Sequence, residues 1–178
     1  MQRMPNGRFD SIVELLTARD GSRATVLGQL PDDSSVDQAW PPCPPVQECL
    51  NHSGMENVLL TTGMAGKAHW SSAIESKESD GVAFIEWDVA CRTSTRPEFL
   101  GSVWQVASGA SALITGDGVA KVDLAGESLM ISAADGATID VRQENERTLV
   151  VITCTDDSDE LPRTFRWKYR IGVPAAAS

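Results

Sequence analysis

The sequence predicts an all-β domain, an antiparallel sandwich or an up-and-down barrel of roughly eight to ten strands. Three observations predict it. Residues 81–92, GVAFIEWDVACR, alternate: Ala83, Ile85, Trp87, Val89 and Cys91 fall on one face, Glu86, Asp88 and Arg92 on the other. Such a period of two is that of a half-buried strand. Residues 163–171 answer it, with Phe165, Trp167, Tyr169 and Ile171 on one face and Arg166, Lys168 and Arg170 on the other. Between them lie short strand-like runs divided by turn residues, and no helical segment of the kind a parallel α/β sheet needs.

From the N-terminus, residues 11–19 read two ways. Ile12, Leu15 and Leu16 stand at helical spacing, with Ser11 and Glu14 as a capping pair and Gly21 as a C-terminal cap. The same letters make a hairpin that turns at Arg19-Asp20-Gly21-Ser22. The helix is the preferred reading, and residues 24–30 follow as a short strand. Residues 31–54 hold five prolines and many small polar residues. Proline withholds a ladder donor and disfavours helix before it, so this stretch reads as an irregular, partly extended segment anchored by Trp40. The expected division is therefore an N-terminal appendage over 1–30, the proline-rich segment over 31–54 and the β domain over 55–178.

Within that domain, strands are expected at 67–75, 81–92, 99–107, 111–115, 119–124, 128–133, 138–143, 147–155 and 163–171. Turns are expected at Ser79-Asp80-Gly81, Gly116-Asp117-Gly118, Ala125-Gly126-Glu127 and Asp135-Gly136. The continuous apolar middle of RTLVVITCT marks 147–155 as a central strand. Phe84, an aromatic on the polar face of 81–92, is expected to lie under the N-terminal segment.

The 178 residues suffice for one domain with a real core. A formal charge of −10 opposes non-specific binding to nucleic acid or to anionic membranes, both of which need a positive field. No apolar run has the length of a transmembrane helix, and MQRMPNGRFD lacks the apolar core of a secretory signal, so a cytoplasmic location is expected. Four cysteines are too few for a disulfide scaffold.

His69 and His52 are the only histidines, and His69 paired with Glu86 or Asp88 across strands would make an acid–base couple. Arg166, Lys168 and Arg170 form a cationic stripe, either ion-paired to Glu86 and Asp88 or an anion- or partner-binding surface. Cys43, Cys49 and His52 are soft ligands, but five residues separate the cysteines and a fourth ligand is missing, so no metal site is assigned. Asp156, Asp157, Asp159 and Glu160 lack the alternation and central glycine of an EF-hand loop and read as a solvated acidic turn. No cofactor motif is present.

Two local resemblances involve Cys91. Cys91, Trp104 and Cys154 resemble the cysteine–tryptophan–cysteine pattern of immunoglobulin domains, which implies a sandwich; Ile152 stands where that family has a tyrosine. Cys91 to Arg96, CRTSTR, resembles the protein-tyrosine-phosphatase loop, with four intervening residues in place of five and neither the preceding histidine nor a glycine. A buried cysteine that ends a strand is the preferred reading of Cys91. The functional expectation is a non-enzymatic β module that binds a protein partner or a small ligand. The alternative is an enzyme with its site in a barrel mouth, built on His69 with Glu86 or Asp88.

Overall fold

A computed structural model describes residues 1–4, 7–16, 21–30 and 40–174. These fold as an antiparallel β-sandwich, with open sheet edges and no barrel closure. Among the described residues there is no helix, so none is long and apolar enough to cross a membrane.

The first strands, β1 (Gln2–Arg3) and β2 (Phe9–Asp10), pair only with each other. Next come β3 (Ile12–Leu16), β4 (Arg23–Gln29), β5 (Glu48–Asn51), β6 (Val58–Ala65) and β7 (Ala68–Ser79). The organising strand β8 (Val82–Thr93) is followed by β9 (Gly101–Val106), β10 (Ser111–Ile114), β11 (Ala120–Leu124) and β12 (Glu127–Ala133). The last three are β13 (Ala137–Glu144), β14 (Arg147–Cys154) and β15 (Arg163–Gly172). The large sheet has eight strands in the order β10-β11-β12-β15-β8-β7-β6-β5, and the small sheet five, β13-β14-β9-β4-β3.

The two strands that predict the fold lie side by side. β15 pairs with β8 from Arg163↔Thr93 to Gly172↔Phe84. Their inner faces meet the small sheet as expected for Trp87, Val89, Cys91, Phe165, Trp167, Tyr169 and Ile171, all buried. Trp87 stacks on Tyr169 with ring centroids 5.4 Å apart and meets Trp104 of the small sheet edge-on at 5.7 Å. Burial pushes the Tyr169 hydroxyl's pKa well up, and the group reaches Ser102 and Trp104 across the core. The predicted inner face is too long at one end. Ala83 and Ile85 are exposed, because β8 there runs past the rim of the small sheet. Phe84 lies under Arg170, whose guanidinium is 5.1 Å from the ring centroid, and not under the N-terminal segment.

Turn chemistry sets the hairpins. Asp80 (φ 54) and Gly81 (φ 75) link β7 to β8 in the doubly left-handed conformation that matches strand twist. Gly136 is needed for a second reason: a Cβ there would lie 2.6 Å from the Arg166 carbonyl oxygen. That turn carries the chain from β12 in the large sheet to β13 in the small one, while Asp135 accepts the Lys168 N–H through its backbone oxygen.

The N-terminal helix is not formed. β3 pairs with β4, and its alternation turns Val13 and Leu15 inward, while Ile12 and Leu16 are 39% and 66% exposed. Local capping is outweighed here because a strand gains a ladder on β4, which itself pairs with β9. The other half of the expected turn, Arg19 and Asp20, lies outside the described residues. β3 and β4 are thus part of the sandwich, and Val26 and Leu27 are fully buried in its core. The proline-rich stretch also differs from its expectation, since it contains β5, which pairs with β6. Residues 40–47 are irregular, as the prolines require, but are not a loose linker. The Pro42 carbonyl accepts the Val103 N–H of the small sheet at 3.1 Å. Three residues later the Pro45 carbonyl sits against Gly63 of the large sheet, where a Cβ would collide with it. The stretch is a strap between sheets, and Trp40 at its start packs on the core.

Candidate functional site

The outer face of the large sheet carries the candidate site, because strand pairing lays its side chains out in rows. One row runs Leu50–Leu60–Ala73–Asp88–Lys168 across β5, β6, β7, β8 and β15. Two residues along, the row is Glu48–Thr62–Ser71–Ala90–Arg166, and the next is Met64–His69–Arg92–Thr164.

Side-chain size along these rows shapes a groove of about 550 Å³. Ser71, Ala90 and Gly63 are short and make its floor; Arg92, Arg166, His69 and Met64 rise around it. Gln47 and Glu48 border its β5 side. A volume of this size lies within the usual range of small-ligand sites.

The cations of the expected stripe are placed in two different ways. Lys168 Nζ meets Asp88 Oδ2 at 3.0 Å, and Arg170 Nε donates to Glu86 Oε2 at 2.7 Å. Glu86 is buried on this polar face, with 8% exposure, because Lys77 also closes on it at 2.6 Å. Arg166 faces Ala90 and has no carboxylate in ion-pair reach among the described residues; the expected pairing of the whole stripe therefore holds for two of its three members. Arg92, which the sequence offered only as a polar-face residue, has no ion-pair partner among the described residues either, and stands beside it on the neighbouring strand.

The Glu86 network has a testable pH signature. The hydrogen bond from Lys77, then that from Arg170, hold the Glu86 carboxyl below its ordinary value of 4.5 against the opposing effect of burial. A carboxylate with a lowered folded pKa stabilises the fold above its unfolded pKa and loses that contribution as pH falls through the folded one. Glu86→Gln is expected to cost about 1–2 kcal/mol at pH 7, in the range of charge-assisted hydrogen bonds with half-exposed partners. The difference from the parent protein is expected to shrink below pH 4.5, and urea titrations at pH 7 and pH 3 measure it.

His69 is not brought to either proposed partner. It lies directly opposite Arg92 on β8, whereas Asp88 faces Ala73 and Glu86 faces Glu75. Along the strand His69 is four residues from the Asp88 row and six from the Glu86 row, about 13 Å and 20 Å. Both carboxylates are moreover held by cations. The register thus gives His69 an arginine as its neighbour in place of an acid.

The remaining candidates are scattered. The Cys43 thiol donates to the Val103 carbonyl at 3.0 Å, Cys49 sits on β5 beside Met1, and His52 follows in the next turn. Among the described residues no three His, Cys, Asp or Glu side chains are placed to share a metal ion. The acidic loop is tied down from within: the Ser158 N–H and then Arg163 hold the Asp156 carboxyl below its usual range, with Arg163 Nη2 at 2.7 Å. Asp159 meets Arg96 at 3.2 Å, so the second arginine of CRTSTR is engaged there. None of this loop lines the groove. Cys91 is fully buried, and its pKa is pushed up to about 12 by that burial and by nearby Cys154. Such a thiol is not a phosphatase nucleophile. Cys91 and Cys154 lie on opposite sheets as free thiols.

Fold and groove together define an all-β sandwich with a polar hollow on its larger sheet. No protein-family model matches the chain, and none of the curated proteins is significantly similar to it.

Proposed function

We propose that this protein is a binding module whose ligand site is the groove on the outer face of the large sheet. One observation supports the reading. In a chain of net charge −10, the groove gathers Arg92, Arg166 and His69, while the neighbouring cations Lys168, Arg170 and Lys77 all face carboxylates. A concave, partly apolar surface with a few convergent polar groups is the usual form of a small-ligand site.

Ala90→Trp tests it. Ala90 lies on the groove floor, on the face away from the core, so the indole fills the hollow and stability is expected to change by less than about 1 kcal/mol. In a thermal-shift screen of small molecules, a ligand at a hundredfold excess over its Kd is expected to raise the parent Tm by about 5–10 °C. That rise is expected to vanish in Ala90→Trp. Ligands that stabilise both proteins equally would place binding elsewhere and end this reading.

A further inference from the structure

The geometry points to an oxyanion, a carboxylate or a phosphate monoester, as the group this groove binds, held between Arg92 and Arg166 with His69 alongside. The assignment rests on the groove being a ligand site and names the chemistry of the ligand.

Arg92 pairs with Thr164, and Arg166 lies two residues further along β15. The two arginines are therefore diagonal neighbours, with backbones about 7–8 Å apart, close enough for both side chains to reach one small anion. His69 is directly opposite Arg92. Adjacent like charges on a sheet face are unfavourable, and on this face the other rows relieve the problem with acids: Asp88 for Lys168, Glu86 for Arg170. At Arg166 the same cross-strand position holds Ala90. The position that elsewhere supplies a counter-charge here supplies space. The carboxylate of Glu48 does not fill that role. It accepts the Thr62 hydroxyl at 3.2 Å and lies four strands from Arg166, about 19 Å across the sheet.

The donors around the space suit an oxyanion. Each guanidinium presents a planar fork that matches carboxylate or phosphate oxygens two at a time. The exposed hydroxyls of Ser71, on the floor beside Ala90, and of Thr164 add donors. Breadth of charge argues for a small molecule over a nucleic-acid backbone: the positive patch is two arginines wide, and Asp88 lies in the adjoining hollow.

The test is a titration of the ¹⁵N-labelled full chain with sodium phosphate and, separately, sodium succinate, at ionic strength held constant with chloride. The expected result is saturable shifts confined to amides around Ser71, Ala90, Arg92 and Arg166, from one or both anions. Whichever anion saturates distinguishes phosphate from carboxylate chemistry. Arg92→Gln/Arg166→Gln is expected to weaken binding at least tenfold, while Arg142→Gln, a paired cation on the small sheet, leaves it unchanged. Shifts that never saturate, or that persist in the double variant, would overturn the assignment. So would an oligonucleotide that binds more tightly than either anion and is lost in the same variant. A neutral molecule that binds the groove equally well in parent and double variant, yet is blocked by Ala90→Trp, would refute the oxyanion and leave the groove as a ligand site.

Discussion

A fragment beginning at Met55 is expected not to fold. Its removal of residues 1–54 takes away β3 and β4, two of the five strands of the small sheet, together with the strap. Val26 and Leu27 are fully buried, and Val13, Cys43 and Val46 are nearly so. At about 1.5–3 kcal/mol for each large apolar side chain, this loss is comparable with the whole stability of an ordinary domain, about 5–15 kcal/mol. The backbone suffers as well. β9 loses its partner from Leu27↔Val106 to Gln29↔Trp104, and Val103 loses its bond to Pro42. Trp104, fully buried in the native sandwich, would then face water. Circular dichroism and amide dispersion of residues 55–178 decide the matter. A cooperative thermal transition in that fragment would show that the later strands close a core by themselves. Leu27→Asp in the full chain supplies the matching test, since an unpaired charge in that position is expected to unfold the protein.

Trp87→Ala is expected to cost about 3–5 kcal/mol, against about 1 kcal/mol for Ile85→Ala. The two residues share a face of β8, and the alternation of the sequence makes them equivalent. The structure does not. Trp87 is 6% exposed, stacks on Tyr169 of its own sheet and meets Trp104 of the small sheet; Ile85 is 36% exposed, beyond the rim of the small sheet. Urea unfolding followed by circular dichroism, with the slope unchanged, measures both. Equal costs would mean that the core extends to the start of β8.

Much of the strand pattern was legible because its signals are local. Over residues 165–171 β15 alternates between aromatic or aliphatic and cationic residues, and each half of that pattern lies on its expected side. Asp80-Gly81 adopts the backbone that its residue types favour. Among the strands that escaped, β6 and β3 did so for equally physical reasons. β6, VLLTTGMA, carries apolar residues on both faces, since Val58 and Leu60 stand on the outer side and Leu59 and Ala65 on the inner, so no alternation marks it. β3 carries helix-compatible letters, and only its ladder to β4 chooses the strand.

The candidate site was legible in its letters and not in its grouping. Arg166, Lys168 and Arg170 are indistinguishable as a stripe, yet cross-strand neighbours give two of them acids and the third an alanine. His69 looked toward Glu86 and Asp88 because all three share a face. What sets their separation is register, which places His69 opposite Arg92. By itself, the sequence determined the all-β class, most of the later strands, several of the turns, and the inner faces of β15 over 165–171 and of β8 from Trp87 on, because period-two alternation and turn preferences act over a few residues. The tertiary structure alone decided that β3 and β4 belong to the small sheet, that the prolines strap the sheets together, and that Arg92 and Arg166 share a groove. Those outcomes depend on which strands pair and in what register, and that choice is made by contacts between residues far apart in the chain.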